Sequence, residues 1–207
     1  MRNNIIRSVA CIVLMLIGVY NADAQNSTQA RQILDRTANK ILSSKNGASA
    51  NFSISDGRGM SASGTVSIKG NKFYASTPQV KVWNNGKTQW AYTISTNEVT
   101  ISTPNDAQQM SVNPYKFVYL YKRGYRMSYK NKGNNYEVHL TSINPARSIP
   151  EIYITINKNY IPTSVKMRQG KSWTTIRISK FHSARLSDNV FLFTKSKAPR
   201  AEIVDLR

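Results

Sequence analysis

The spacing of apolar residues changes once along this chain, and that change limits the folds it can adopt. Between residues 30 and 42, apolar side chains recur at helical spacing with charged residues between them. From residue 48 onward they alternate with polar residues, which is the period of a strand with one buried face. Turn sequences such as Gly70-Asn71, Asn85-Gly86 and Gly133-Asn134 separate the alternating segments. The pattern predicts one opening helix followed by a large antiparallel sheet.

The predicted fold is mainly β (α+β), with about ten or eleven short strands in meander order, the last of them at Phe191–Phe193. A second, short helix is predicted after Asn113-Pro114, with Phe117 and Leu120 on one side and Gly124 at its end. Two short helices cover only part of so large an apolar face. We therefore expect an incomplete antiparallel β-barrel, a half-barrel whose helices form a lid over an apolar cavity. A two-sheet sandwich with a filled core is the alternative.

The first 24 residues have the pattern of a secretory signal peptide. Arg2 and Arg7 precede an apolar run too short to span a bilayer, and Ala22-Asp23-Ala24 matches a signal peptidase site. We expect residues 1–24 to be removed and residues 25–207 to form a single domain in the periplasm; a retained membrane anchor is the alternative. Cys11 is the only cysteine and lies in the signal, so the mature chain is predicted to have no disulfide and no thiolate metal site.

The charge of the chain is strongly positive. It has 29 Lys and Arg against 10 Asp and Glu, and removal of the signal leaves 27 basic and 9 acidic residues, a net charge of +18. Such a field attracts an anionic membrane surface or an acidic partner. A solvated surface that favours solubility is the alternative. The basic residues are scattered rather than clustered, which argues against nucleic-acid binding.

Sequence motifs for catalysis are absent, and we do not expect an enzyme. His139 and His182 are the only histidines, too few for a zinc site without cysteines. The segment Gly59–Gly64 resembles a nucleophile elbow in composition only, and there is no P-loop or dinucleotide-binding motif. We therefore expect no cofactor and no metal. A pair of carboxylates distant in sequence is the remaining route to catalysis.

The hairpin Asn85–Tyr92, continued by Asn97–Ile101, resembles the periplasmic outer-membrane lipoprotein carrier (LolA-like) family. That family has a D-G-K-x-x-W-x-Y strand followed by an N-x-V-T-type strand. The strand Gly64–Lys69, the helix start at Asn113-Pro114 and the closing Asn189–Phe193 follow in the family's order. The likeness therefore extends over nearly the whole mature chain.

This resemblance implies a half-barrel whose cavity shelters the acyl chains of lipoproteins. In the family, the carrier receives acylated lipoproteins from an inner-membrane ABC transporter and passes them to an outer-membrane acceptor, and we expect it to act as a monomer. Each buried CH₂ group contributes about 0.8 kcal/mol, so acyl chains need such shelter in water. The sequence departs from the family at Gly70-Asn71, where proteobacterial carriers have an arginine before a proline, so the role of that arginine does not transfer.

The alternation of apolar residues identifies twelve candidates for the cavity lining. They are Phe52, Ile54, Val66, Ile68, Phe73, Val82, Trp90, Tyr92, Val99, Ile101, Phe117 and Leu120. Two other functions stay open at this point: an envelope lipid-sensing or signalling scaffold with the same fold, and a basic protein that binds anionic glycans or nucleic acid, which would need a clustered basic patch.

Overall fold

The computed structural model describes residues 25–41, 46–57, 59, 61–105, 121–122 and 124–207, in which one α-helix precedes twelve strands. Helix α1 covers residues 25–41. The first meander comprises β1 (Ala48–Asp56), β2 (Ser61–Lys69), β3 (Lys72–Ser76), β4 (Val80–Asn84), β5 (Gln89–Thr93) and β6 (Glu98–Ser102). The second comprises β7 (Tyr125–Lys132), β8 (Asn135–Ser142), β9 (Glu151–Asn157), β10 (Pro162–Gln169) and β11 (Ser172–Ser183). Two 3-10 helices, Asp188–Phe191 and Lys195–Lys197, lead to β12 (Glu202–Asp205).

All twelve strands belong to one sheet, in the order β12-β6-β5-β4-β3-β2-β1-β11-β10-β9-β8-β7. Neighbouring strands are antiparallel except β12, which runs parallel to β6. Pairing of β1 with β11 joins the two meanders. The outermost strands, β12 and β7, are not neighbours, so the sheet does not close into a barrel. The predicted incomplete antiparallel barrel is confirmed, with twelve strands in place of ten or eleven, and the two-sheet sandwich is not what forms.

Helix α1 packs against the inner face of this sheet. Its apolar residues are at most 7 % exposed, and they belong to one cluster with the inward-facing side chains of the strands. These helix residues are Ala30, Ile33, Leu34, Ala38 and Ile41. The helical spacing of the sequence therefore predicted the buried stripe of α1 correctly. Each such Ile or Leu stabilises the fold by about 1.5 to 3 kcal/mol when it is fully buried.

Gly64 allows the end of β3 to approach β2 closely. Its partner on the neighbouring strand β1 is Phe52, whose side chain points to the inner face. A Cβ atom at Gly64 would lie 2.0 Å from the carbonyl oxygen of Ser76. No side chain fits at that distance, so the close approach depends on glycine.

The C-terminal segment, residues 187–205, covers the outer face of β3 to β6. Phe191 is fully buried, and the ring of Phe193 lies 5.4 Å from that of Trp83. The carboxylate of Asp188 forms salt bridges of 3.0 Å with both Lys69 and Lys72. Strand β12 then extends the sheet beyond β6.

One predicted strand is wrong, and two further predictions concern residues that the structure does not describe. The strand predicted at Phe191–Phe193 is wrong: Asp188–Phe191 is a 3-10 helix, capped by the Ser187 hydroxyl, which accepts a bond from the Asn189 amide. Strands β7 and β12 were not predicted; both are edge strands, β7 is mostly exposed beyond Met127, and β12 is too short to show alternation. Most of the predicted second helix, including Phe117 and Leu120, and the predicted signal peptide lie outside the described residues.

We predict that Gly64→Ala lowers the free energy of unfolding by about 2 to 3 kcal/mol, because the new methyl group overlaps the Ser76 carbonyl and the strands must separate. Urea denaturation of the purified variants measures this change. Gly57→Ala is the matched control, since a Cβ atom there has no neighbour within 4 Å. Equal stability of the two variants would contradict the close approach of β3 and β2.

We predict that acid loosens the C-terminal segment through Asp188. Hydrogen bonds from Lys69 and Lys72 hold the pKa of this carboxyl below its usual value of 3.8. The attachment is therefore present above pH 3.8 and is lost as the pH falls through the lowered pKa. Limited proteolysis of the segment with an acid protease, followed against pH, measures the loss. Asp188→Asn should show no such step, and an unchanged step in that variant would rule out Asp188 as its cause.

Candidate functional site

Six of the twelve candidate lining residues lie on the inner face of the sheet, beneath or beside α1. Five of them are at most 6 % exposed, and Ile54 is partly buried against the same apolar cluster. The six are Phe52, Ile54, Val66, Ile68, Phe73 and Val82. Strand alternation therefore brought these residues together on one surface.

Four other candidates, Trp90, Tyr92, Val99 and Ile101, lie on the outer face. Trp90 is paired with Ile101 and Tyr92 with Val99, so all four point the same way. Trp90, Tyr92 and Val99 belong to a second apolar cluster, with Phe193 and two alanines of the C-terminal segment. It is Ala91 that faces the main core. The expectation that all of these side chains point inward is corrected here, because alternation shows which residues share a face but not which face is covered by the helix.

Asn26 attaches the first turn of α1 to the edge strand β7. Its amide nitrogen donates to the carbonyl oxygen of Tyr129 at 3.1 Å, and its carbonyl accepts from the Tyr129 amide at 2.8 Å. The Asn side chain thus pairs with the edge of the sheet as a neighbouring strand would. Sequence analysis did not find this contact, because a polar residue in the first helical turn usually caps the helix.

Two further side chains of α1 make polar contacts with tyrosines. Arg36 donates to the hydroxyl of Tyr160 at 2.6 Å. On the other side of the helix, the hydroxyl of the buried Tyr121 donates a short hydrogen bond to Asp35. Burial and the neighbouring Asp35 carboxylate raise the pKa of Tyr121 well above its usual range, so this hydroxyl stays protonated. Helix α1 therefore has polar contacts at its start and along two sides, around an apolar stripe.

Three tyrosines surround an opening beside α1, which we call the tyrosine opening. Tyr136 is stacked on Tyr160 at 6.0 Å between ring centres and meets Tyr129 edge-on at 6.4 Å. The space is about 160 Å³ and is also lined by Gln29, Gln32, Ile33 and Arg36. Ile33 and the tyrosines also contact the main apolar cluster. The opening therefore lies at the margin of the apolar core.

Charged groups on the outer face of β8 to β11 are held by one another. Glu151 accepts hydrogen bonds from His139 at 3.0 Å and from Tyr153 at 2.9 Å, and it pairs with Arg168. Burial raises the pKa of Glu151, but the bonds from Tyr153 and His139 outweigh it and leave that pKa below its usual value. This carboxylate is therefore ionised and occupied by its neighbours at neutral pH.

Metal ligands and membrane-spanning helices would indicate other kinds of function. Within the described residues, no group of three or more His, Cys, Asp or Glu side chains is placed to hold a metal ion. None of the helices in this part of the chain is long and apolar enough to cross a membrane.

Comparison with protein families confirms the relationship suggested by the hairpin Asn85–Tyr92. Residues 20–171 match the model of the outer membrane lipoprotein carrier protein LolA. The chain belongs to the LolA family. The match covers α1 and strands β1 to β10, including the tyrosine opening and the inner face apart from the side chains of β11. No curated protein matches the chain.

Solved structures with a similar fold come from several bacteria. An uncharacterized conserved protein from Thermus thermophilus has a TM-score of 0.58 at 14 % identity, over 86 % of this chain and 99 % of that one. A LolA superfamily protein from Nitrosomonas europaea has a TM-score of 0.46 at 12 % identity, over 79 % and 97 %. A putative outer membrane lipoprotein-sorting protein domain from Vibrio parahaemolyticus has a TM-score of 0.46 at 10 % identity, over 83 % and 100 %. The likeness to the Thermus protein supports the fold.

We predict that Asn26→Ala loosens the start of α1, because it removes both hydrogen bonds to Tyr129. The free energy of unfolding should fall by about 1 to 2 kcal/mol, and the Tyr129 amide should exchange faster with deuterium. Hydrogen exchange and urea denaturation measure the two effects. Asn39→Ala is the control, since Asn39 is exposed on the same helix. If the Tyr129 amide keeps its protection in Asn26→Ala, the attachment is not what holds the helix start.

Proposed function

We propose that this protein is a periplasmic carrier that holds the acyl chains of lipoproteins between α1 and the inner face of its sheet. The observation that carries the proposal is the continuous apolar face of one open sheet, covered by a helix from outside that sheet. Membership of the LolA family and the order of its motifs support the same function. The proposal needs no covalent chemistry, so we regard the chain as a carrier and not as an enzyme.

Exchange of the helix for acyl chains is feasible because the two make similar contacts with the sheet. When α1 moves outward, residues such as Ile33 and Leu34 lose apolar contacts with the inner face. An acyl chain that takes their place restores burial at about 0.8 kcal/mol per CH₂ group. The polar contacts of Asn26 and Arg36 are replaced by water, so their net cost is about 1 kcal/mol each. A modest change in free energy is therefore enough to shift the protein between the ligand-bound and the ligand-free state.

The proposed route runs from an inner-membrane ABC transporter to an outer-membrane acceptor, with the protein as the soluble intermediate. Support for these partners comes from the family, whose description names an outer membrane lipoprotein carrier. The positive charge of the chain supports a second contact, with the anionic surface of the receiving membrane. We propose that the carrier acts as a monomer, since a single chain has both the sheet and its covering helix.

The proposed carrier activity is tested with vesicles that contain the lipoprotein-releasing transporter and an acylated lipoprotein. Addition of the chain beginning at residue 25, with ATP, should yield a soluble complex with one lipoprotein per carrier. A lipoprotein whose acylated cysteine is replaced by serine is the control and should not be recovered. Failure to form the complex, while a known carrier forms it in the same vesicles, would disprove the proposal.

We predict that acyl chains are detected from the inner face only. The chain from residue 25 has no cysteine, so one introduced thiol carries a fluorophore selectively. A polarity-sensitive fluorophore at Ala91→Cys, which faces the main cluster, should shift to shorter wavelength by roughly 10 nm or more when a diacylated lipopeptide binds and water is excluded. The same fluorophore at Lys81→Cys, on the outer face beside Tyr92, should not respond. Equal responses at both positions would place the ligand outside the proposed site.

A further inference from the structure

One cation, Arg36, lines the tyrosine opening and a second, Lys158, lies beside it on the ring of Tyr136; neither has an acidic partner in the described part of the chain. The guanidinium of Arg36 lies 5.3 Å from the ring centre of Tyr160, and the ammonium of Lys158 lies 3.8 Å from that of Tyr136. Neither forms an ion pair with a carboxylate of the described residues. Elsewhere in this region Lys130 and Lys132 both pair with Glu137.

Both cations keep hydrogen-bond donors for a ligand. Arg36 uses one of its five N–H groups on the Tyr160 hydroxyl, and Lys158 donates to Asn131 at 3.3 Å. Gln29 and Gln32 add amide groups on the helix side of the same opening. A guanidinium and amide donors that line one opening, with an ammonium beside it, are groups that bind a phosphate.

The position of Tyr160 is maintained against a backbone preference. Its φ angle is 59°, a left-handed conformation that costs a residue with a side chain about 1 to 3 kcal/mol. Asn157 stabilises this turn by accepting bonds from the amides of Asn159 and Ile161, both at 3.0 Å. The strained turn presents the Tyr160 ring to Tyr136 and its hydroxyl to Arg36. Strain of this kind is characteristic of functional positions.

The size of the opening limits what enters it. Its volume of about 160 Å³ is smaller than the roughly 300 Å³ or more of a pocket that encloses a whole small molecule. It therefore fits the headgroup of a larger ligand, the rest of which lies outside the opening. Because Ile33 both lines the opening and packs in the apolar core, the remainder of such a ligand would lie beneath α1 once the helix has moved outward.

We propose that the tyrosine opening binds the phosphate group of an anionic lipid whose acyl chain lies beneath α1. This inference rests on the proposed acyl-binding function and specifies a class of ligand for it. Arg36, which lines the opening, binds the phosphate, Lys158 adds positive charge from beside it, and the three tyrosines form an amphipathic collar between the charged headgroup and the apolar core.

The experiment compares three soluble probes on the chain from residue 25 by titration calorimetry. They are a 1-acylglycerol 3-phosphate, the monoacylglycerol with the same acyl chain, and glycerol 3-phosphate. We expect the acylglycerol phosphate to bind at least about tenfold more tightly than either of the others, as charge-assisted hydrogen bonds provide. Arg36→Gln should remove most of this preference and Lys158→Gln, which removes the charge beside the opening, should reduce it less, while binding of the monoacylglycerol is unchanged.

Two control variants separate the binding of phosphate from the structure of the opening. Arg31→Gln removes an exposed cation of the same helix that does not line the opening, and it should keep the preference. Tyr160→Phe removes the hydroxyl contact of Arg36 but leaves its charge, so it should also keep the preference. Loss of the preference in Tyr160→Phe with full retention in Arg36→Gln would overturn the inference.

The other outcomes are equally decisive. Equal affinity for the acylglycerol phosphate and the monoacylglycerol would overturn the phosphate site and leave acyl binding intact. Equal affinity for glycerol 3-phosphate and the acylated form would show a site for a soluble phosphate and overturn the lipid assignment. If neither acylated probe binds, the inference fails, and formation of the lipoprotein complex in the transporter vesicles then decides the proposed function separately.

Discussion

Burial of one face of a single twelve-stranded sheet is the interaction on which the rest of this structure depends. The strands of both meanders contribute inward side chains to one apolar cluster, and α1 supplies the layer that covers them. A sheet that does not close on itself must obtain such a layer from another element. The same helix is therefore needed for stability and stands between the apolar face and any ligand. In the proposed carrier, stability and acyl binding compete for one surface.

The outer face is organised differently along its length. Over β3 to β6 it is covered by the C-terminal segment, where Val99, Trp90 and Phe193 form a second and smaller core. Over β8 to β11 it consists of charged and aromatic side chains that satisfy one another, as Glu137 does with Lys130 and Lys132. The hydrogen bond from Lys132 is the main cause of the lowered pKa of Glu137. The β3 to β6 half of the sheet thus has two apolar sides, and the other half has one.

The centre of the sheet was predictable from sequence, and its edges were not. Strands such as β9, where every second residue is fully buried, show complete alternation. Edge strand β7 is mostly exposed beyond Met127, and edge strand β12 is too short to show alternation. The lining was predictable only in part for a related reason. Trp90 has the size and apolar character of a core residue, and nothing local in the sequence shows that its face is covered by a segment about 100 residues away.

Contacts that involve polar side chains were beyond sequence reasoning altogether. From sequence alone, Asn26 is expected to cap the helix. Its two hydrogen bonds with Tyr129 depend on the position of β7 at the edge of the sheet, which the sequence does not show. The tyrosine opening joins residues from α1, β7, β8 and a turn with a left-handed tyrosine, which no spacing rule anticipates. By contrast, the resemblance of the hairpin Asn85–Tyr92 identified the family, because turn chemistry and strand alternation are both local.

The pairing of β1 with β11 has a consequence for the timing of folding. These strands are neighbours in the middle of the sheet but lie far apart in the sequence. Ala48, for example, is paired with Ser183. Closing so long a loop is entropically costly and slow, so the central ladder forms after the local hairpins. A chain emerging from the ribosome lacks the ladder between the two meanders until residues near 183 are available. The topology therefore leaves the apolar inner face divided between two separate meanders until β11 has been made.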